Sequence, residues 1–184
     1  MKRPYTIGIN GGTCSGKSTL TNTLYEKLGK RYKTCVICMD DYYNWGEMKT
    51  ISPITRIEYP EHNHPDAIDI SKLNEDFMSS ISVTTNDIVI IEGVFSLYFN
   101  VIRERLDLKI FIDLKSDERL YRRIKRMIDC ESLEEIACRY LDTVRYRHDE
   151  FVEPLRWHAD IILNGTLDAN LGVSVIASYI ETRI

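Results

Sequence analysis

One octet constrains this chain more than any other stretch: Gly11-Gly12-Thr13-Cys14-Ser15-Gly16-Lys17-Ser18. It fits the pattern G-x-x-x-x-G-K-[ST], in which a glycine-rich turn cradles phosphate. Glycines allow successive backbone N–H groups to converge on one anion. Lys17 adds a point charge for the outer phosphates, and the Ser18 hydroxyl is placed to ligate Mg²⁺. The flanks fit too. Residues 5–10 read as a short buried strand, and Leu20, Leu24 and Leu28 recur at helical spacing after the octet. Strand, glycine turn and helix N-terminus together aim a helix dipole at an anion. The competing reading is an accidental glycine-rich turn, and the matched flanks with Lys17-Ser18 argue against it.

The rest of the chain supplies the sheet that such a turn needs. Apolar runs at about 4–10, 33–39, 87–92, 108–113 and 159–164 lack the polar alternation of a sheet with one wet face. Helical patterns separate them, which predicts an α/β fold: a five-stranded parallel sheet with helices on both faces. A length of 184 residues with 43% hydrophobic content suits a single domain over 1–184. Ligands in such sheets bind beyond the carboxyl ends of the strands. The residues that follow each run are therefore the candidates.

After the second run comes Asp40-Asp41-Tyr42-Tyr43. Asp40 is the candidate general base, since phosphoryl transfer to an alcohol needs a carboxylate to accept the hydroxyl proton. If strand geometry persists, Asp40 and Asp41 point opposite ways. Tyr42 and Tyr43 adjoin Asp40 and are candidates to stack on a ring, whereas Trp45, Trp157 and the other tyrosines are expected in packing. Glu92 ends the third run, where an acidic group can act on Mg²⁺ or contact the acceptor. Ser18, Glu92 and Asp40 form the candidate metal set. After the fourth run, Arg119, Arg122, Arg123 and Arg126 share one helix face at i, i+3, i+4, i+7 spacing. Four cations on one face suggest a clamp for a transferring phosphoryl group; a solvated face paired with Asp117 and Glu118 is the plain alternative. His62, Asn63, His64 and Asp66 lie in a proline-bounded loop over 44–67, long enough to suggest function, and could form a polar pocket for a hydroxylated acceptor. Two histidines without a third ligand do not suggest a metal.

Composition excludes other classes. A net charge of −4 argues against nucleic acid as a bulk partner. No apolar run is long enough to span a bilayer, and residues 1–4 lead into a strand without a signal-type apolar region. The five cysteines read as reduced, so a cytoplasmic setting is expected. Cys35 and Cys38 read as core thiols, whereas Cys14 lies inside the phosphate loop, where alkylation could block a nucleotide.

Taken in order, these segments resemble the uridine kinase family of P-loop kinases and, more distantly, the nicotinamide riboside kinases. The resemblance rests on Gly11 to Thr19, Asp40-Asp41-Tyr42-Tyr43, residues 64–69, Glu92-Gly93, residues 117–126, Phe151-Val152-Glu153-Pro154 and residues 159–165. It implies a P-loop NTPase fold with a short helical lid over roughly 122–135, ATP as donor, Mg²⁺, and transfer to a ribosyl 5′-hydroxyl. It implies ATP contacts from Gly11, Gly12, Thr13, Cys14, Ser15, Gly16, Lys17, Ser18 and Thr19. It also implies adenine near Asn164 and Gly165, the base at Asp40, and lid arginines at Arg123 and Arg126 acting with Lys17. On the acceptor side Tyr42, His62, Asn63, Asp66, Glu92 and Arg139 are the candidates.

The chain departs from the family pattern in three places. Asn63 stands where the family has Asp. About twenty residues between Ile68 and Asp87 leave no room for the family's Tyr-Asp-Phe hairpin plus a helix. Asp129-Cys130-Glu131-Ser132 replaces an arginine-containing lid segment, leaving Arg139, Arg145 or Arg147 to substitute. The expected activity is ATP-dependent phosphorylation of an alcohol on a small molecule, a nucleoside first. The alternatives are another acceptor (nicotinamide riboside, a sugar phosphate or a vitamin alcohol) or a nucleotide-binding regulator without transfer activity.

Overall fold

The structure, a computed structural model, describes residues 3–44, 48–83, 85–166 and 170–184. Trp45 lies outside them. The main sheet is parallel throughout and is built from β1 (Tyr5–Gly11), β2 (Thr34–Cys38), β5 (Ile88–Glu92), β6 (Leu108–Asp113) and β7 (Ile161–Asn164), in the order β2-β5-β1-β6-β7. The five expected strands are all present within a few residues of their predicted ends. Two short strands, β3 (Lys49–Ile51) and β4 (Glu58–Pro60), form a separate antiparallel hairpin inside the loop segment 44–67.

The strands read as continuous apolar runs because both sheet faces are covered. Alternate residues of β5 go to opposite sides: Ile88 and Ile90 join Ile7 and Ile9 under α1 (Lys17–Leu28), with Leu20, Leu24 and Leu28 in the same cluster. Val173, Ile176 and Ile180 of the C-terminal helix (Asn170–Glu181) complete that layer. Val89 and Ile91 join Leu73 and Phe77 of α2 (Ile70–Ser82) on the other face. Asp69 caps α2 by accepting from the Lys72 N–H at 3.0 Å. This helix fills the stretch between Ile68 and β5, as the short spacing requires.

Beyond the sheet, α3 (Asn100–Arg103) precedes β6, and α4 (Ser116–Met127) leaves its carboxyl end. A tight turn leads to α5 (Leu133–Arg139), which opens on a capping box: Ser132 and Glu135 each bond the other's backbone N–H. The chain stays helical through wide π-type turns at Tyr140–Val144 and His148–Val152, with α6 (Arg145–Arg147) between them. We call residues 133–152 the arm. The C-terminal helix is α7.

One local expectation fails. β2 stops at Cys38, and Met39–Tyr42 forms a single tight helical turn. Asp40 and Asp41 therefore do not alternate as strand neighbours; both side chains are exposed.

Candidate active site

The phosphate loop folds as its sequence predicts. Gly16 sits at φ 106°, a left-handed angle that disfavours a side chain, and opens α1 directly. Cys14 holds a left-handed φ of 58°. No side chain caps α1 and no acidic residue lies in its first turn. Its first N–H groups are thus left for an anion. Lys17 Nζ donates to the Gly12 carbonyl at 3.0 Å. Burial lowers the Lys17 pKa, while Glu92 and Asp40 pull it back up. Both carboxylates thus act on the ammonium that is meant to meet phosphate.

Glu92 is 6% exposed at the end of β5. Its Oε1 accepts from Ser18 Oγ at 2.9 Å and from the Cys38 thiol at 3.6 Å. Burial first, and the neighbouring carboxylates with it, push Cys38 up to about 11, so it stays a protonated donor. Asp40, Lys17, Ser18 and Glu92 all line one cavity of about 640 Å³. The donor set fits Mg²⁺: hard oxygens, a hydroxyl already 2.9 Å from a carboxylate, and few protein ligands, as expected of an ion that keeps waters and takes substrate phosphates.

The four arginines of α4 have separate roles. Arg123 Nη1 donates to Thr13 Oγ1 at 3.4 Å, and Arg126 lines the cavity. Burial lowers the Arg123 pKa, and the nearby charges of Arg126 and Arg139 add to that. Arg122 Nη2 donates to the Gly165 carbonyl at 2.8 Å. Arg119 is buried away from the cavity. A second cleft of about 390 Å³ adjoins the loop; Gly16, Thr19, Leu163, Asn164 and Gly165 are among its walls. Gly11, Gly12 and Ser15 form the buried base of the loop, while Thr13 and Cys14 face the larger cavity.

Of the residues expected on the acceptor side, His62, Asn63 and Arg139 line the cavity. Two expected contacts are corrected. Tyr42 turns away from the cavity and donates its hydroxyl to Asp76 at 2.8 Å; Tyr43 lines the cavity instead. The reason is register: residues 42–44 pair with 67–69 through Asn44 N to Ala67 O and Asp69 N to Tyr42 O, so neighbouring side chains face opposite ways. Asp66 is exposed beside His64, whose Nδ1 accepts from the Asp66 N–H at 3.2 Å, and the His64 ring packs edge-on against Phe151. Neither lines the cavity.

The support behind the cavity lining was not foreseen; Glu61, Arg147 and Asp142 brace the segments that carry Pro60, His62, Asn63, Arg139 and Thr143 without lining the cavity themselves. Glu61 is 1% exposed. One oxygen accepts the Asn63 N–H at 2.7 Å, and the other accepts Arg147 Nε at 2.8 Å. Arg147 also bonds Glu150 at 2.8 Å and Thr50 of the hairpin at 3.4 Å. Asp142 accepts from Thr55 at 2.6 Å and from Tyr59 at 2.8 Å. The hairpin and the acceptor loop are thus pinned to the arm. Among the three arginines that could replace the missing lid arginines, Arg139 alone lines the cavity, held by Glu131 at 2.8 Å; Arg145 stacks on Tyr146 at 4.9 Å.

A phosphate loop sharing one cavity with Glu92 of the neighbouring strand and with Asp40 one strand further on, at the carboxyl edge of this parallel sheet, defines a P-loop kinase. The chain belongs to the Phosphoribulokinase / Uridine kinase family, whose model matches residues 48–171. It is 32% identical to a uridine kinase of Alkaliphilus metalliredigens over 208 residues, covering 100% of this chain and 98% of the relative. It is 35% identical to a uridine kinase of Clostridium botulinum (strain Okra / Type B1) over 187 residues, covering 89% of each. The fold matches the phosphoribulokinase from Rhodobacter spheroides with a TM-score of 0.65 at 13% identity, over 88% of this chain and 70% of that one. The chain is an ATP-dependent kinase of small molecules. Among the described residues, no helix is long and apolar enough to cross a membrane.

Proposed function

We propose that the protein transfers the γ-phosphoryl group of Mg·ATP to the 5′-hydroxyl of a nucleoside. One observation carries this reading: Asp40 shares a cavity with Lys17 and Ser18 on one side and with Tyr43, His62 and Asn63 on the other. A neutral acceptor fits better than a sugar phosphate. Arg139, the arginine that lines the cavity on the acceptor side, is already engaged by Glu131, and Arg147 behind it by Glu61 and Glu150. The named activity of the curated relatives, uridine kinase, supports the same class.

Asp40 accepts the hydroxyl proton as the acceptor oxygen bonds to phosphorus and the bond to ADP breaks. Lys17 exchanges the Gly12 carbonyl for a phosphate oxygen. Arg123 and Arg126 meet the charge on the transferring group. Ser18 and Glu92, with Asp40 nearby, would hold Mg²⁺, which when bound offsets charge on the triphosphate. Residues 122–135 close over the site and exclude water, so that ATP is not spent on hydrolysis. The adenine ring occupies the cleft beside Asn164 and Gly165.

The test is ADP release with a panel of uridine, cytidine, nicotinamide riboside and a pentose phosphate, with the product weighed by mass spectrometry. Nucleoside-dependent release is expected, and Asp40→Asn should lower kcat about 10²–10⁴-fold with ATP affinity near normal. Turnover retained in Asp40→Asn removes Asp40 from its role. Tight ATP binding without turnover across the panel points to a regulator.

A further inference from the structure

Three of the α4 arginines reach a ligand cavity; Arg119 does not. It is 2% exposed. Its Nε donates to the Leu114 carbonyl at 3.1 Å, and its guanidinium lies 5.9 Å from the centre of the Tyr140 ring. Its Nη1 is buried with no hydrogen-bond partner. Among the described residues no carboxylate is within ion-pairing distance.

What lies against this cation is the phosphate loop. A Cβ added at Gly12 would sit 2.8 Å from Arg119 Nη1 and 2.9 Å from the His148 ring. No side chain separates the guanidinium from the loop backbone. On the arm side, a void of about 20 Å³ touches Arg119, His148 and Thr13. It has room for a water but none for a carboxylate. A guanidinium out of water without a counter-charge is unfavourable for the free protein. An anion on the opposite side of Gly12 would relieve it, and in a low-dielectric setting that attraction acts through one layer of backbone.

We propose that Arg119 is a positioning residue for the phosphate donor: its buried guanidinium backs the loop at Gly12, and the triphosphate bound on the loop's front is its counter-ion. This rests on the loop binding Mg·ATP as proposed above. Arg122, Arg123 and Arg126 reach the ligand cavities, whereas Arg119 acts on the triphosphate through the loop. The consequence is an opposition of signs. Removing the charge relieves the free protein and weakens nucleotide binding. A purely structural arginine would do the reverse, destabilising the free protein with nucleotide affinity unchanged.

The full chain is compared with Arg119→Met and Arg119→Lys by thermal unfolding without nucleotide and by calorimetric titration of Mg·ATP. Arg119→Met should unfold at the same temperature or higher, with a Kd for Mg·ATP raised about tenfold or more, the size of one interaction with a charged group. In turnover, KM for ATP should rise with kcat little changed, the mark of binding lost equally before and during transfer. Arg119→Lys keeps the charge and should bind within about threefold of the unaltered chain. The proposal is overturned if Arg119→Met binds Mg·ATP normally, if it fails to fold or melts clearly lower without nucleotide, or if Arg119→Lys binds as weakly as Arg119→Met. An unaltered chain that does not bind Mg·ATP would instead overturn the assignment of the loop, and this inference with it.

Discussion

Acid should destabilise this protein through His148, and the size of the effect follows from its surroundings. The residue lies on the arm, 7% exposed, against the phosphate loop. Burial first, and then the charge of Arg119 on α4, lower its pKa from 6.5 to about 4. Lys17 on α1 pushes the same way, while Asp149 and Asp113 oppose. The Glu153 carboxylate is 3.3 Å from Nε2, but its other oxygen is held by Arg156 at 2.8 Å. The unfolded chain takes up its proton near the ordinary value, whereas the folded chain holds the ring neutral to about 4. Between those values the unfolded state binds more protons, so stability falls as pH falls. The contribution is intact above about 6.5 and lost progressively toward 4, reaching ~3 kcal/mol in full and ~2.5 kcal/mol at about pH 4.5. Urea unfolding at about pH 7 and 4.5, on the unaltered chain and on His148→Gln, isolates this from the carboxylates, which both proteins share. The unaltered chain should lose ~2.5 kcal/mol more than the variant. Equal losses, or an NMR titration placing the His148 midpoint near its ordinary value, would refute the reasoning.

Three further outcomes follow from the same geometry. Gly12→Ala drives a methyl group into Arg119 and His148; because both are buried, a loss of ~1–3 kcal/mol is expected in denaturant unfolding, with weakened ATP binding in titration. Glu61→Gln leaves Arg147 its bonds to Glu150 and Thr50 but removes the buried charge opposite it. Since Arg147 is partly exposed, ~1–3 kcal/mol should be lost, and steady-state kinetics should show KM rising for the acceptor with KM for ATP unchanged. Asp142→Asn weakens the bonds from Thr55 and Tyr59; hydrogen exchange at residues 49–60 should quicken, with ~1–2 kcal/mol lost locally, and no change there would show that the arm does not hold the hairpin.

The donor side of the site was legible because it is contiguous. Eight residues fix the loop by their own backbone needs, and the helix that follows supplies the N–H groups. The sheet was legible for a related reason: strands covered on both faces must be apolar at every position, and that signal survives in a single sequence. Its failures mark where local pattern stops deciding. Asp40 and Asp41 lost their expected alternation because Met39–Tyr42 coils as soon as β2 ends. Of the two ring-stacking candidates Tyr42 and Tyr43, Tyr43 lines the cavity and Tyr42 does not, because a pairing with residues 67–69, invisible in either segment alone, sets which one faces inward.

The acceptor side was less legible because nothing about it is local. Strands β3 and β4 have three residues each, too short for any periodicity, and contain lysine, glutamate and a proline. Their place is set by Asp142, which lies 87 positions from Thr55 and 83 from Tyr59. Glu61 and Arg147 are 86 apart and read as ordinary surface charges until the fold buries one against the other. A buried pair of this kind adds little net stability, so composition and hydropathy do not announce it. What it contributes is direction: Glu61 holds the Asn63 backbone N–H while Arg147 ties β3 to the arm, so a wall made of three separate segments keeps one shape. On the proposed function, acceptor selectivity in this chain rests on contacts that only the folded arm creates. Exchanging the hairpin, the residue 61–63 loop or the arm singly with a relative should disturb selectivity, and only exchanging all three together should transfer it.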